Sequence, residues 1–148
     1  MTTSDRPATQ DSARPVDPRA ADRLRALGDE RFVSLTTFRR TGVPVATAVW
    51  VARDGDDLVV TTPAGSGKVK RLRHDPRVEL RPCDRFGRVA DDAEVVAATA
   101  EIVGPDVDEP RREGLLRDKY GLEYRAIIGV EKLSRRGGDR LILRVSAA

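Results

Sequence analysis

Three β-branched runs follow one another between residues 31 and 62 with only tight turns between them. They are R-F-V-S-L-T-T-F (Arg31–Phe38), V-P-V-A-T-A-V-W-V-A-R (Val43–Arg53) and D-L-V-V-T-T (Asp57–Thr62). T-G separates the first pair and D-G-D-D the second, which is chain-reversing chemistry. Parallel neighbours need a crossover of about a dozen residues or more, and none fits here, so the three strands are consecutive and antiparallel. Strand-like runs recur at Arg77–Cys83, Glu94–Val103 and Arg140–Val145, giving six strands in all. The expected fold is mainly β, a closed antiparallel β-barrel with added helices, because closure removes exposed edges.

The helices sit around these strands. Asp17 before Pro18 starts one that ends at Gly28, with Ala20, Ala21, Leu24 and Leu27 on one face. Gly67–His74 forms a turn or two, stopped by Pro76. Asp108–Tyr120 has acids and Pro110 at its start, Arg117 and Lys119 near its end, and Gly121 beyond. Tyr124–Ser134 is a further helix before the turn R-R-G-G-D. Residues 1–16 mix Pro, Ser, Thr, Asp and Arg without periodicity and are expected to be a disordered tail, leaving 17–148 as a single domain.

Several classes are set aside by composition. No apolar run approaches the roughly 20 residues that cross a bilayer, and M-T-T-S-D-R-P lacks a signal-peptide core, so a cytoplasmic protein without a membrane partner is expected. One cysteine, Cys83, and one histidine, His74, provide neither an internal disulfide nor a zinc site, so no metal is expected. His74 before D-P reads as a helix end, and Cys83 as a small hydrophobe at a strand end.

Net charge is only +3, yet it is unevenly placed. Lys and Arg outnumber acids eight to three from Gly67 to Arg88, whereas Val89–Pro110 holds seven acids and no base. Lys68, Lys70, Arg71 and Arg73 could meet nucleic-acid phosphates, but the six aromatic residues are scattered and the acidic stretch repels a polyanion. Nucleic acid is therefore not an expected partner. The segment T-T-P-A-G-S-G-K-V-K-R-L-R leaves a strand and enters a helix, so amides near Gly65 and Gly67 can face an anion together with Ser66 and Lys68. It is not a nucleoside-triphosphate loop: Thr62 stands where the first glycine belongs, and Val69 where Ser or Thr should follow the lysine. On this segment alone, a glycine-rich turn with an exposed basic helix fits equally well.

The succession R-F-V-S-L-T-T, T-G-V-P-V-A-T-A-V-W-V-A-R-D-G-D-D-L-V-V-T-T and S-G-K-V-K-R-L-R-H-D-P-R-V-E-L-R-P-C-D resembles the pyridoxamine-phosphate-oxidase-like (PPOX-class) family of split β-barrels, which bind FMN. Within it, the chain resembles the actinobacterial branch of deazaflavin (coenzyme F-420)-dependent reductases, from about Leu27 to Val145. The resemblance implies a homodimer with the cofactor between the barrels. It also implies an oxidoreductase that moves hydride between F-420 and a small conjugated or quinone-like molecule.

By position, Thr47, Ala48, Val49 and Trp50 are then expected to border the ring, Thr61 and Thr62 to approach the ribityl chain or phosphate, and Lys68 to bind the phosphate. Lys70 and Arg71 are expected near the anionic tail. FMN is the alternative cofactor. The alternative function is a binding or storage module for F-420, FMN, haem or a tetrapyrrole without turnover. Protein groups in such enzymes bind and orient the cofactor, so no catalytic residue is singled out; Tyr120, Tyr124 and solvent are equal candidates for proton delivery. Val49 and Trp50 also read as strand burial, and the two tyrosines as helix packing.

Overall fold

Both tight turns become hairpins. β1 (Phe32–Phe38) pairs antiparallel with β2 (Pro44–Val49), Val33 opposite Val49 and Phe38 opposite Pro44. β3 (Val51–Asp54) folds back on β4 (Asp57–Pro63) through a two-residue loop whose first position, Gly55, takes φ 62°. A hairpin this short needs a positive φ there, which glycine adopts without a Cβ clash. The computed structural model describes residues 18–104, 106–134 and 140–148, with backbone only at 128 and 130–134. The tail expected over residues 1–16 and the R-R-G-G-D turn lie outside the described residues.

The remaining strands are β5 (Arg77–Cys83), β6 (Val96–Val103) and β7 (Arg140–Ala147). One seven-stranded sheet has the order β2-β1-β5-β6-β7-β4-β3, antiparallel at every step. The expected single strand Val43–Arg53 is thus corrected to two, and six strands to seven among the described residues. β2 pairs only with β1 and β3 only with β4, so the two edges of the sheet are joined through Trp50. That one-residue link makes the sheet roll up into a split barrel. The break is held from outside the sheet: the Val51 amide donates to the Tyr120 hydroxyl at 2.9 Å, and the Lys119 ammonium donates to the Val51 carbonyl at 2.6 Å.

Strand alternation sorts the apolar residues into two layers. Leu58 and Val60 of β4 join Val33, Leu35, Val51, Leu80 and Leu143 in the barrel interior, which α1 (Pro18–Leu27) closes with Leu24 and Leu27. Val59 points to the other face, into a second cluster with Ala52, Ile142 and the helical residues Leu116, Tyr120 and Tyr124. β4 is therefore covered on both sides, which explains why Leu58 to Thr62 are all buried.

α2 (Gly67–Leu72) follows β4 after a three-residue turn and buries Val69 and Leu72. α3 (Glu109–Tyr120) carries Pro110 in its first turn, and ends where Gly121 adopts φ 57°. α4 (Leu122–Ser134) starts immediately afterwards, two residues before the expected start. The α3 acid–base arrangement continues across the surface: Arg111 donates twice to Asp54, at 2.7 and 3.2 Å, and holds that carboxyl below its usual pKa. Among the described residues no helix is long and apolar enough to cross a membrane, and no cluster of His, Cys, Asp or Glu could hold a metal ion.

Candidate functional site

The strand break, the end of β4 and the starts of α2 and α4 surround a cavity of about 390 Å³. Ala48, Val49 and Trp50 at the end of β2 form its apolar part, with Phe32 beside them. Thr61, Thr62 and Pro63 enter from β4, and Arg140 enters where β7 pairs with Pro63. Lys68 comes from α2, Arg85 and Phe86 from the loop after β5, and Glu123 and Ile127 from α4. The last two are four residues apart and share one helix face.

The polar part is cationic and rich in hydroxyls. Arg140 Nε donates to Thr61 Oγ1 at 3.0 Å, and the hydroxyls of Thr62 and Ser66 lie 3.1 Å apart. Burial, then the positive charges of Arg71 and Arg140, hold the Lys68 ammonium below the ordinary lysine pKa of 10.5. Among the described residues no carboxylate pairs with Lys68. A half-buried ammonium beside other cations lacks compensation, and an anion would supply it.

The cavity takes in Ala48, Val49, Trp50, Thr61, Thr62 and Lys68 from the positions implied by the resemblance. Four others stand apart from its lining. Thr47 has a buried hydroxyl without a hydrogen-bond partner among the described residues. Ser66 reaches the site only through Thr62. Lys70 is exposed, because two residues along a helix turn it well away from Lys68. Arg71 does return to the Lys68 side, but its Nε is donated to Thr37 Oγ1 at 2.6 Å. Its guanidinium packs over Gly67, where a Cβ would come within 2.7 Å of Nη1.

Trp50 stacks on Tyr120 with centroids 4.7 Å apart and planes 15° from parallel, and lies 5.8 Å from Tyr124. The tyrosines thus back the indole instead of lining the cavity, as helix packing requires. Burial pushes the Tyr120 hydroxyl pKa up, so it stays protonated as a hydrogen-bonding group. Cys83 is half-buried at the end of β5, and burial followed by Asp84 pushes its thiol pKa up, opposite to what a nucleophile needs. His74 is exposed after α2 and does not line the cavity.

Residue-by-residue reading overlooks Phe32, Arg85, Phe86, Glu123, Ile127 and Arg140. A signal existed for Phe86, an apolar residue between arginines in a polar loop, and for Arg140, the first residue of the last strand. Glu123 and Ile127 carry none, since their place depends on how α4 lies on the barrel. Chemically, the cavity offers an aromatic, apolar stretch next to a hydroxyl and cation cluster, which suits a flat ring carrying an anionic group.

The sequence profile of pyridoxamine 5'-phosphate oxidase matches residues 20–148. No curated protein matches the chain significantly. Among solved structures, a conserved hypothetical protein from Mycobacterium tuberculosis is 26% identical, with a TM-score of 0.59 over 90% of this chain and 81% of that one. The haem storage protein HutZ from Vibrio cholerae is 14% identical, with a TM-score of 0.59 over 91% and 92%. An F420 reductase is 20% identical, with a TM-score of 0.52 over 83% and 91%. With the profile covering nearly all of the described chain, the chain belongs to the pyridoxamine 5'-phosphate oxidase family.

Proposed function

We propose that the chain is an oxidoreductase that holds coenzyme F-420, with FMN as the alternative, in the cavity beside Trp50, and reduces a small conjugated or quinone-like molecule. The observation that carries this reading is the juxtaposition of Trp50, Ala48 and Val49 with a half-buried Lys68 that has no carboxylate partner among the described residues. The bound cofactor supplies hydride chemistry. The chain's own residues give the ring an apolar wall that excludes water, and Lys68, with Thr61, Thr62 and Arg140 around it, neutralises the phosphate. An F420 reductase among the structural neighbours supports the same reading at the level of fold.

The second reading is a storage module, and HutZ gives it a structural precedent for haem. Haem iron is usually held by His, Cys, Met or Tyr, and none of these is among the described residues that line the cavity. That favours a flavin-type ring. We also propose a homodimer whose second copy covers the cavity rim, where Phe86 is 75% and Ile127 42% exposed.

Oxidation of chemically reduced F-420 or FMN, followed by absorbance with quinone and enone acceptors, tests the function. Acceptor-dependent oxidation is expected; tight binding of the cofactor without turnover would establish the storage module instead.

A further inference from the structure

The last two residues of α3 gather backbone groups from two distant parts of the chain. The Lys119 ammonium donates to the carbonyls of Gly28, Glu30 and Val51 at 2.7, 2.6 and 2.6 Å, so each of its three protons has an acceptor. The Tyr120 hydroxyl accepts the Val51 amide at 2.9 Å, and its single proton faces the carbonyls of Arg31 at 2.9 Å and Val51 at 3.0 Å. Val51 opens an edge strand, whose unpaired amide and carbonyl would otherwise need water or another strand. Lys119 and Tyr120 supply both partners from side chains and clasp the break at Trp50.

The clasp bears on the cavity from two directions. The Tyr120 ring lies stacked on the indole of Trp50, which lines the cavity. Gly121 then turns the chain into α4, whose Glu123 and Ile127 also line it, and Glu123 pairs with Arg31, the residue whose carbonyl faces the Tyr120 hydroxyl. The strand wall and the helix wall are thus referenced to one pair of residues. Tyr120 itself does not line the cavity.

We propose that the Lys119–Tyr120 clasp positions Trp50 and thereby sets the width of the part of the cavity that takes the ring, which makes Tyr120 a positioning residue for ring selection. The proposal rests on the functional reading above. It separates ring recognition from phosphate recognition, since the clasp touches the Trp50 side and leaves Lys68 alone.

The test is Tyr120→Phe, which keeps the stacked ring and removes the hydroxyl. The chain has a single tryptophan, so its fluorescence reports Trp50 directly. Three quantities are measured on the full chain: acrylamide quenching of Trp50 in the free protein, FMN affinity, and inorganic phosphate affinity by calorimetry. Quenching is expected to rise and FMN affinity to fall about 5-fold or more, the loss expected for one hydrogen bond, with phosphate affinity unchanged. Unchanged quenching, unchanged FMN affinity, or a parallel loss of FMN and phosphate binding overturns the proposal. If the unmodified protein binds F-420 but not FMN, F-420 affinity replaces FMN affinity in the same comparison; if it binds neither cofactor, the functional reading fails, and the quenching comparison still decides whether the clasp positions Trp50. Should Tyr120→Phe fail to fold, Lys119→Gln is measured by the same three readouts.

Discussion

Lys68→Ala is expected to weaken cofactor binding about 10- to 150-fold, because a charge-assisted hydrogen bond contributes roughly 1.5–3 kcal/mol. The melting temperature should hardly move, since no carboxylate among the described residues depends on this ammonium. Salt dependence of binding should flatten in the variant, as one cation no longer meets the phosphate. The pH dependence follows from the same group. Burial, with Arg71 and Arg140 nearby, lowers the Lys68 pKa from 10.5, so affinity should decline as pH rises through that lowered value, and this decline should vanish in Lys68→Ala. The free protein moves the opposite way. Its unfolded chain binds the proton more tightly, so between the lowered folded value and 10.5 stability rises with pH. Titration of F-420 and FMN at low and moderate salt across this pH range checks all of it, and equal affinities for the two proteins would remove Lys68 from the site.

Leu35→Ala should cost about 2–5 kcal/mol of folding stability. Leu35 is fully buried, and its strand is paired on both sides, with Thr47 of β2 and Leu80 of β5 opposite it. Two hydrogen-bonded ladders prevent the barrel wall from collapsing into the space left behind, so the cavity term is retained in full. For a chain of this length the loss corresponds to a melting temperature lower by about 5–20 °C. Denaturant titration is the check; a loss below about 1 kcal/mol would be inconsistent with packing at native density around this position.

The hairpins and the helix ends were legible because their signals are local. T-G and D-G-D-D reverse the chain wherever they occur, and Gly121 stops α3 because it alone accepts φ 57° without strain. The division of Val43–Arg53 was not legible. Neither glycine nor proline marks Trp50, and the residues that hold the break, Lys119 and Tyr120, lie about 70 positions later. The site divides in the same way. Ala48, Val49, Trp50, Thr61, Thr62 and Lys68 fall in two short stretches whose pattern points to them. Arg140 enters only through the β4–β7 register, and Glu123 and Ile127 only through the seating of α4 on the barrel. Arg71 shows the converse: its spacing from Lys68 places it correctly on the helix, but the hydroxyl of Thr37, on another strand, takes its Nε.

A phosphate-bearing flavin-type ring is the ligand proposed for the cavity beside Trp50. Equilibrium titration of F-420 and FMN, side by side, into the purified chain with Trp50 emission as the signal tests it most directly. Saturable binding of at least one of them is expected at micromolar concentrations, with Trp50 quenched as the ring fills the cavity and with inorganic phosphate competing. No saturable binding of either cofactor, or binding that leaves Trp50 emission unchanged and is indifferent to phosphate, would contradict it.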